Sequence, residues 1–406
     1  MVIVGGGPAG LTAALALVRA APALAARIVV IEKGAYPREK PCAGALGGRG
    51  ERLLRELDAL PDTPFLPIRG MALAGRDGAA TARLDRPIGR VIRRLDFDAA
   101  LASTARARGV LVLDSTRVEA ITAGDHGARV ETSRGAISAS IVVGADGVGS
   151  RVRRAMGIPV GDHRAQVLEV DTEALPGEVD DVLHFDASER DFSGYYWDFP
   201  TPVGGRTLVS RGVYHLTRET GVDLEARLGA RLARLGLELD LDRCVKKRFA
   251  ERGFESKARL AAGALALIGE AAGVDPITGE GLAQAIEYGV LFGSFLPAVL
   301  AGKRPLHDWT EVVHGSRLGR DLRARSALVE TFFGADRPAI ERLFTAHPAV
   351  LRVGCRHFAG LPQEHFDLVA TAVVASPALV ASLSRRALKT VRSRFPTLPC
   401  AEKPPS

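Results

Sequence analysis

The sequence predicts an α/β protein: a domain built on a parallel sheet, a β-rich second domain interleaved with it, and a helical C-terminal region. Three observations predict this arrangement. Short apolar strand patterns run into glycine-rich turns near residues 4, 143 and 268. Alternating strand patterns fill much of the segment between the second and third turns, and residues 306–406 follow a helical period. With 406 residues, 47% of them hydrophobic, the chain can bury the core of two or three domains.

The charge balance and the cysteines exclude several classes of partner. Fifty-four basic and 47 acidic side chains give a net charge of +7, which would permit a polyanionic partner. The excess is spread thinly, and no zinc-finger, homeodomain or RNA-binding aromatic motif accompanies it, so we expect no nucleic-acid partner. The cysteines lie far apart and form no CxxC pair, so neither a disulfide framework nor a metal site is predicted. They are Cys42, Cys244, Cys355 and Cys400.

Two features bear on location. Met1 runs directly into an apolar strand pattern, without the basic segment and cleavage site of a secretory signal, so we expect a cytoplasmic protein. One long uncharged stretch, Leu368–Ser384, has 17 residues and contains Pro377. It stands at the lower limit of what can span a bilayer, and no transmembrane helix is predicted.

The first glycine-rich turn has the form of a dinucleotide-binding site. The strand at Val2–Val4 is followed by the run Gly5–Gly10 and then by an alanine- and leucine-rich helix. Gly5 permits the tight turn, Gly7 lets the backbone approach a pyrophosphate, and Gly10 lets the helix pack closely on the strand. The free N–H groups at the helix N-terminus would then bind the phosphates.

A second strand, at residues 27–31, strengthens this interpretation because it ends in an acid. Glu32 stands about 22 residues beyond Gly10, where a carboxylate would hydrogen-bond the adenosine ribose. Its neighbour Lys33 is a further candidate for cofactor contact. A plain βα turn is the alternative interpretation, but the strand, the helix and the acid together favour the dinucleotide site.

Two later segments decide which dinucleotide is expected. A strand pattern at residues 139–143 runs into Gly144–Arg153. Another, at 264–268, runs into Gly269–Gly281 and a helix from Leu282 to about Phe295. With the first turn, these segments resemble the group-A flavoprotein monooxygenase superfamily, whose FAD-binding regions are discontinuous in this order. The resemblance covers about the first 300 residues. It implies FAD as the cofactor, held by a Rossmann-type domain.

The resemblance also implies roles for three residues. Arg94 should touch the cofactor, and Asp146 should help to hold the FAD-binding domain together. Glu270 should contact the ribityl chain, at a position where the superfamily usually has Asp. No second glycine fingerprint follows a strand, so an external reductant such as NAD(P)H has no Rossmann domain of its own. Reduced ferredoxin is the other reductant that we consider.

The turn at Thr278–Gly281 has a physical interpretation that does not depend on the resemblance. Gly279, Glu280 and Gly281 open a helix, where backbone N–H groups and the positive end of the dipole stabilise negative charge. That environment suits N1 and the C2 carbonyl of a reduced flavin. The alternative is an ordinary glycine cap with turn glycines.

An unusual concentration of aromatic residues follows. Five of the 22 aromatic residues, from Phe192 to Phe199, fall within eight positions. In an extended strand Tyr195, Trp197 and Phe199 point to one face, and Tyr196 points to the other. We interpret the first face as the wall of an apolar binding site. The alternative is a sheet face packed on the protein's own helices.

The run Tyr195–Pro200 fits the motif YxWxFP, which resembles the geranylgeranyl reductase family of flavoenzymes. The loop Arg38–Gly44 resembles that family's K-x-C-G-G segment, with Ala43 in place of one glycine. The resemblance implies saturation of C=C bonds in an isoprenoid lipid or prenylated small molecule. Catalytic candidates are Cys42, Tyr195 and Trp197, and the substrate-binding candidates are Tyr195, Trp197 and Phe199. For Cys42, a small buried hydrophobe is the alternative interpretation.

Other functions remain open at this stage. An oxygen-using relative, a hydroxylase or a halogenase, is the first alternative. Halogenases use a lysine beyond the flavin, and this sequence has no lysine between Lys40 and Lys246, which weighs against halogenation. A flavoprotein without turnover, acting through interactions, is the second alternative.

The domain limits follow from these assignments. We expect the FAD-binding domain to comprise residues 1–65, 90–160 and 255–305, and the substrate domain residues 66–89 and 161–254. Residues 306–406 form the helical region.

A helix near the C-terminus has a basic face opposite an apolar stripe. The apolar stripe is Val380, Leu383, Ala387 and Val391. The basic face is Arg385, Arg386, Lys389 and Arg392. One interpretation is a docked helix with a solvated basic face. The other is peripheral contact with anionic lipid on the inner face of the membrane, where a long isoprenoid substrate would reside.

Overall fold

The computed structural model describes residues 1–124, 127–237, 241 and 243–372. Its helices are α1 (Pro8–Ala20), α2 (Gly48–Glu56), α3 (Arg94–Ala107), α4 (Arg151–Ala155), α5 (Leu224–Arg234), α6 (Leu282–Leu300), α7 (Trp309–Gly315), α8 (Arg317–Phe333), α9 (Arg337–Ala346) and α10 (Pro348–Ala359). Short 3₁₀ helices cover Pro22–Arg27, Gly269–Ala271 and Leu306–Asp308.

The strands are β1 (Val2–Val4), β2 (Val29–Ile31), β3 (Ala45–Gly47), β4 (Phe65–Ile68), β5 (Gly70–Gly75), β6 (Gly78–Arg83), β7 (Gly89–Ile92), β8 (Leu111–Leu113), β9 (Val118–Gly124), β10 (Gly127–Thr132), β11 (Gly135–Ala139), β12 (Val142–Gly144), β13 (Arg164–Thr172), β14 (Val182–Asp186), β15 (Gly194–Val203), β16 (Arg206–Leu216), β17 (Lys247–Arg252), β18 (Ala261–Ala262) and β19 (Leu265–Leu267). The mixed α/β class is confirmed.

A six-stranded sheet carries the three glycine-rich turns. Its strand order is β18-β19-β12-β1-β2-β8. All neighbours run parallel except β18, which is antiparallel to β19. Val2 in β1 pairs with Val142 on one side and with Val29 on the other. Because parallel strands end at the same edge of a sheet, the turns after β1, β12 and β19 meet at that edge.

A seven-stranded sheet carries the aromatic strand. Its order is β17-β13-β16-β15-β14-β5-β6, and only β14 and β5 pair in parallel among its neighbours. The predicted aromatic strand is β15. It pairs antiparallel with β16, from Gly194 opposite His215 to Val203 opposite Arg206. Two chain segments build this sheet, because β5 and β6 come from residues far ahead of the others.

Two smaller antiparallel sheets complete the strand structure, with the orders β3-β7-β4 and β11-β10-β9. The predicted domain limits at residues 65 and 90 fall inside β4 and β7, which pair with each other. These limits therefore pass through one small sheet, and the assignment of domains stays a prediction.

Two strands begin later than the sequence analysis expects. The strand expected at residues 27–31 begins at Val29, because a 3₁₀ helix opened by Pro22 extends to Arg27. The strand expected at residues 139–143 is Val142–Gly144. Ala139 instead ends β11, where it pairs with Ala128. In both cases a neighbouring element takes the first residues of the apolar run.

Helix α6 packs along α1 in the core of the parallel-sheet domain. Two glycines permit the close approach: a Cβ at Gly289 would lie 2.7 Å from the Ala9 carbonyl oxygen, and one at Gly293 would lie 2.5 Å from the Ala16 Cβ. Among the described helices, α6 is long and apolar enough to cross a bilayer, and 56% of its apolar window is buried within the protein. Helix α6 is not an uncharged stretch, because it contains Glu287.

The C-terminal helices cover the seven-stranded sheet, and α9 and α10 contact β5 and β6. The buried Arg337, at the start of α9, donates to four backbone carbonyls of the loop that precedes β15. They are those of Ala187, Glu189, Phe192 and Gly194. The predicted basic face at residues 385–392 and Cys400 lie outside the described residues.

Candidate functional site

The turn after β1 has the geometry that the glycine fingerprint predicts. Gly5 adopts a φ of +108°, and a Cβ there would lie 2.2 Å from the Ala145 carbonyl oxygen. A Cβ at Gly10 would lie 2.1 Å from the Gly5 carbonyl oxygen. Gly7 is the N-cap of α1, and no side chain caps that helix. The N-terminus of α1 can therefore receive an anion.

Glu32 is held in place by three donors. The N–H groups of Gly6 and Gly34 donate to its two carboxylate oxygens over 3.0 and 3.1 Å, and the Arg38 guanidinium lies 3.1 Å from Oε2. The Tyr36 hydroxyl also donates to the Gly6 carbonyl. This network fixes the loop after β2 against the glycine turn. Lys33 is exposed beside it.

Arg94 lies beside the same turn. Its guanidinium makes two 2.7 Å hydrogen bonds to the buried carboxylate of Asp98, and Arg38 lies 3.2 Å from that carboxylate. A Cβ at Gly7 would lie 3.8 Å from the Arg94 Nη2. A positively charged group therefore stands next to the uncapped helix N-terminus, where a phosphate would bind.

Asp146 and Glu270 lie at the ends of the other two parallel strands. Asp146 Oδ2 accepts from the N–H of Arg151 over 2.6 Å, while its buried Oδ1 has no partner among the described residues. Burial raises the pKa of Asp146. The Glu270 Oε2 lies 3.3 Å from where a Cβ at Gly147 would stand, and burial raises the pKa of Glu270 as well.

The turn before α6 is organised by Asp275. Its carboxylate accepts from the N–H groups of Ile277, over 2.8 Å, and Thr278, over 3.3 Å, and pairs with the partly buried Arg325 of α8. Glu280 lies 3.5 Å from the same guanidinium. The carboxylate of Glu280 thus faces α8, although the residue stands in the predicted cofactor turn.

The end of this turn offers backbone N–H groups. Gly279 adopts a φ of +65°, which favours glycine. Gly281 is the N-cap of α6, and no side chain caps this helix either. The positive end of the α6 dipole therefore opens toward the edge where the three turns meet.

The aromatic strand has the predicted alternation. Tyr195, Trp197 and Phe199 belong to one apolar cluster with side chains of α8 and α10, and Tyr196 belongs to another, under α5. Trp197 and Phe199 are only 5% and 6% exposed. The described face is therefore packed within the protein, where β15 contacts β4 and β7 of the small sheet, and its role as a binding wall stays a prediction. An apolar ligand would have to lie between β15 and that small sheet.

Two tyrosines join the aromatic strand to the turn before α6. The Tyr195 hydroxyl donates to the Thr278 carbonyl over 2.5 Å, and the Tyr214 hydroxyl donates to the Pro276 carbonyl over 2.9 Å. Their rings stack, with centroids 5.1 Å apart. The turn and the aromatic face are thus one structural unit, although they lie about eighty residues apart in sequence.

Cys42 reaches the same unit through a buried acid. The Cys42 N–H donates to Glu169 Oε1 over 3.2 Å, and the Ser210 hydroxyl lies 3.4 Å from Glu169 Oε2. The Trp197 indole N–H lies 3.4 Å from the Ser210 hydroxyl oxygen. Glu169 and Ser210 therefore connect two predicted catalytic residues, Cys42 and Trp197. Burial raises the pKa of the Cys42 thiol.

One family comparison decides the cofactor class. The sequence profile described as the FAD binding domain matches residues 1–308 of this chain. The chain belongs to this FAD-binding family. The match covers the three glycine-rich turns, and their assignment as the FAD-binding regions stays a prediction.

The FAD-binding protein is similar to reductases of prenylated molecules. It is 26% identical over 373 residues to a digeranylgeranylglycerophospholipid reductase of Methanothrix thermoacetophila, covering 79% of this chain and 85% of that one. It is 27% identical over 374 residues to a menaquinone reductase of Mycobacterium tuberculosis, covering 82% and 84%.

Solved structures show the same fold. A geranylgeranyl bacteriochlorophyll reductase-like protein of Thermoplasma acidophilum matches with a TM-score of 0.74 at 20% identity, covering 95% of this chain and 98% of that one. A flavin-dependent brominase and a hydroxylase also share the fold. These likenesses establish the architecture of the FAD-binding protein.

The residues of the site fit FAD. The uncapped N-terminus of α1 and the Arg94 guanidinium suit a pyrophosphate, and Glu32 stands where the ribose is expected. The unpartnered, buried Oδ1 of Asp146 is available to accept a hydrogen bond. The N-terminus of α6 suits the pyrimidine end of the flavin ring. The roles of the individual residues stay predictions.

Sequence reasoning did not identify several residues of this site. Asp98 stands four positions after Arg94 on α3, a spacing at which ion pairs form on a helix. Glu169 interrupts apolar alternation on β13, which marks an acid on a buried face, and Glu251 lies two residues after Phe249 on β17. Arg325 carries no such local signal, because its partners lie about fifty residues away.

Two lysines lie at this site. Lys40 lies over the Phe249 ring, 5.7 Å from its centroid. Lys247 of β17 lies 2.7 Å from Asp171 and 3.6 Å from Glu169. Although the sequence has no lysine between Lys40 and Lys246, a lysine therefore lies near the site.

Proposed function

We propose that this FAD-dependent oxidoreductase saturates C=C bonds of an isoprenoid chain. The observation that carries the proposal is the joining of the Tyr195–Phe199 face to the turn before α6 by the Tyr195 and Tyr214 hydroxyls. A hydrocarbon chain lying on that face would be held beside the flavin ring. The similarity to reductases that act on geranylgeranyl lipids and menaquinone supports the same substrate class.

The aromatic face would act by shape. An isoprenoid tail has almost no hydrogen-bonding groups, so its position depends on flat apolar surfaces. Trp197 and Phe199 present such surfaces, and Phe185 packs edge-on against Phe199 with ring centroids 5.2 Å apart. Displacement of the β4 and β7 side chains from this face would open the space for the tail.

Bound FAD, once reduced, supplies a hydride, and an acid must supply the proton. The protein's own residues then have two tasks. The packed face must exclude water and oxygen from the reaction, because an unactivated alkene reacts slowly and needs close alignment. The uncapped N-terminus of α6 would stabilise negative charge on the reduced ring.

The surroundings of the reaction belong to the same proposal. NAD(P)H or reduced ferredoxin supplies the electrons from outside. The protein works in the cytoplasm, at the inner face of the membrane, where its basic C-terminal segment contacts anionic headgroups. The substrate is an isoprenoid lipid or a prenylated small molecule, and no nucleic acid takes part.

The test is anaerobic reduction of the purified protein, followed by mixing with a geranylgeranyl lipid or, separately, with oxygen. We expect flavin absorbance to return with the lipid alone, together with a saturated product found by mass spectrometry. A hydroxylase or halogenase would be reoxidised by oxygen and would leave the lipid unchanged. A flavoprotein without turnover would give no product in either mixture.

A further inference from the structure

Glu251 is a partly buried acid at the edge of the predicted FAD site with no assigned role. It lies on β17, where it pairs with Ala165 of β13. Its Oε2 would lie 2.7 Å from a Cβ at Gly279, so the carboxyl contacts the turn before α6. That oxygen is fully buried and has no hydrogen-bond partner among the described residues. A buried, unpartnered polar atom is costly, and such atoms concentrate at functional sites.

The groups that face Glu251 come from every element around it. They are Lys40 of the loop before β3, Glu169 of β13, Tyr195 of β15, Tyr214 of β16, Glu270 of the 3₁₀ helix after β19, and Asp275 of the following turn. Three of these are acids, and Lys40 is the one cation among them. Asp275 is paired with Arg325, and Glu169 accepts from the Cys42 N–H. These surroundings favour the neutral carboxylic acid.

The protonation state follows from this environment. Burial raises the pKa of Glu251 well above that of an ordinary glutamate, the Glu270 carboxylate raises it further, and Lys40 lowers it. The protonated carboxyl is therefore favoured over the carboxylate. This acid lies beside the turn where the flavin ring is expected and near the Tyr195 end of the aromatic face.

We propose that Glu251 is the acid that protonates the alkene, an assignment that rests on the proposed reduction of isoprenoid double bonds. Its position against Gly279 places it beside both the cofactor turn and the aromatic face. A carboxylic acid that its surroundings keep neutral holds a proton that it can donate, and the donation leaves a carboxylate. Catalysis of this kind needs an acid that stays protonated at the working pH.

The reaction balances with this acid. A hydride from the reduced flavin forms a C–H bond at one alkene carbon, and the π electron pair forms a C–H bond with the Glu251 proton at the neighbouring carbon. The O–H bond of Glu251 breaks, and its electron pair stays on the carboxylate. The flavin is oxidised and the alkene is reduced by two electrons. Glu251 then takes a proton from water.

Cys42 is the competing proton source. Its thiol also lies at the site, and burial raises its pKa. Its Sγ accepts from the Gly44 N–H at 3.4 Å, and its backbone N–H is bound to Glu169. These contacts suit a residue that shapes the loop. The experiment therefore compares Glu251→Gln with Cys42→Ser.

The first measurement follows oxidation of the prereduced protein by a geranylgeranyl lipid, without oxygen, across a pH series. Glu251→Gln should lower the rate by about 10²–10⁴, Glu251→Asp should restore part of it, and the parent rate should fall as Glu251 loses its proton at high pH. Glu131→Gln, an exposed carboxylate on β10, is the matched control and should react at the parent rate.

The second measurement does not depend on turnover. Difference infrared spectroscopy of the oxidised protein between two pH values should show a protonated-carboxyl band that is absent from Glu251→Gln and present in Glu131→Gln. Flavin content and the oxygen reactivity of the reduced protein should be unchanged in Glu251→Gln. Loss of FAD in that variant would overturn the assignment by giving Glu251 a structural role.

The outcomes separate the two proposals. If the parent is reoxidised by the lipid and Glu251→Gln matches its rate, the reduction stands and Glu251 is not the donor. Loss of activity in Cys42→Ser alone would identify the thiol as the donor instead. If the lipid does not reoxidise the parent, the proposed function fails, and the role of Glu251 in it fails as well. Absence of the carboxyl band from the parent would overturn the assignment by itself.

Discussion

The indole ring of Trp197 lies directly over Gly212, its pairing partner on β16, so closely that a Cβ there would stand 2.0 Å from the ring. Trp197 also directs its N–H toward Ser210, which leads to Glu169 and the Cys42 loop. A glycine in the middle of a strand usually weakens it, and here it makes room for the largest side chain of the aromatic face. The position of Trp197 therefore depends on a residue that has no side chain.

Gly212→Ala should displace the indole. We expect a loss of stability of about 1–3 kcal/mol from overpacking, measured by urea unfolding, and reduced oxidation of the flavin by the lipid. The double variant Gly212→Ala with Trp197→Leu should be more stable than the sum of the two single changes predicts. Additive losses would show that the ring and the strand do not constrain each other.

Trp197→Ala should keep FAD, because β15 belongs to the seven-stranded sheet, whereas the three glycine-rich turns follow strands of the parallel sheet. It should lose about a hundredfold in the rate of alkene reduction, since a misplacement of about 1 Å can cost that much. The cavity should also cost about 3–5 kcal/mol of folding free energy. Stopped-flow oxidation of the prereduced protein by lipid measures the rate. A parent rate in Trp197→Ala would mean that the face serves only for packing.

Gly10→Val should abolish FAD binding. Its side chain would collide with the Gly5 carbonyl oxygen, 2.1 Å from the Cβ position, and would push α1 away from β1. The control is Gly315→Ala, at the end of α7, where a Cβ meets nothing within 4 Å. Absorbance of the purified proteins gives the flavin content. A yellow Gly10→Val protein with full occupancy would contradict the assigned site.

Arg325→Met should loosen the turn before α6. It would leave the buried Asp275 without its cation, and breaking a buried pair costs about 3–5 kcal/mol. FAD should bind more weakly, as measured by quenching of flavin fluorescence. Adding Asp275→Asn should restore part of the stability. Arg206→Met, which removes the exposed pair with Glu173, should cost at most about 1 kcal/mol. Equal losses in both arginine variants would exclude a special role for Arg325.

Glu251→Gln should stabilise the protein increasingly as pH rises. Unfolding lowers the raised pKa of Glu251 to its ordinary value of 4.5, so between the two values the folded chain holds a proton that the unfolded chain releases. The stability of the parent therefore falls with pH across that interval, and the amide variant escapes this loss. Urea unfolding across a pH series measures the difference. A difference that is constant with pH would show that Glu251 is ionised in the folded protein.

The sequence was a good guide wherever the signal is local. The glycine-rich turns follow β1, β12 and β19 within a few residues of each strand. Strand alternation places Tyr195 and Trp197 in one apolar cluster and Tyr196 in another. The backbone alone determines such features. The starts of two strands were less well predicted. The 3₁₀ helix opened by Pro22 takes the first residues expected for β2, and β11, which ends at Ala139, takes the first residues expected for β12.

The remaining parts of the site depend on distant pairings. Glu169 is 127 residues from Cys42, and Arg325 is 50 residues from Asp275. Nothing in the local sequence shows which loop a buried acid will face, because that depends on the order of strands in the sheet. Glu251 faces Gly279 because β17 is an edge strand next to β13, a position that only the fold reveals.

The two-segment origin of the seven-stranded sheet affects how the chain can fold during synthesis. The hairpin of β5 and β6 is made early, yet its partner β14 follows about a hundred residues later, and the opposite edge strand ends at Arg252. Until the ribosome has released β14, the hairpin has an unpaired edge, which is open to aggregation. Contacts of such long sequence separation also slow folding. If the chain were cut between β6 and β14, neither piece could therefore complete the hydrogen bonding of the seven-stranded sheet.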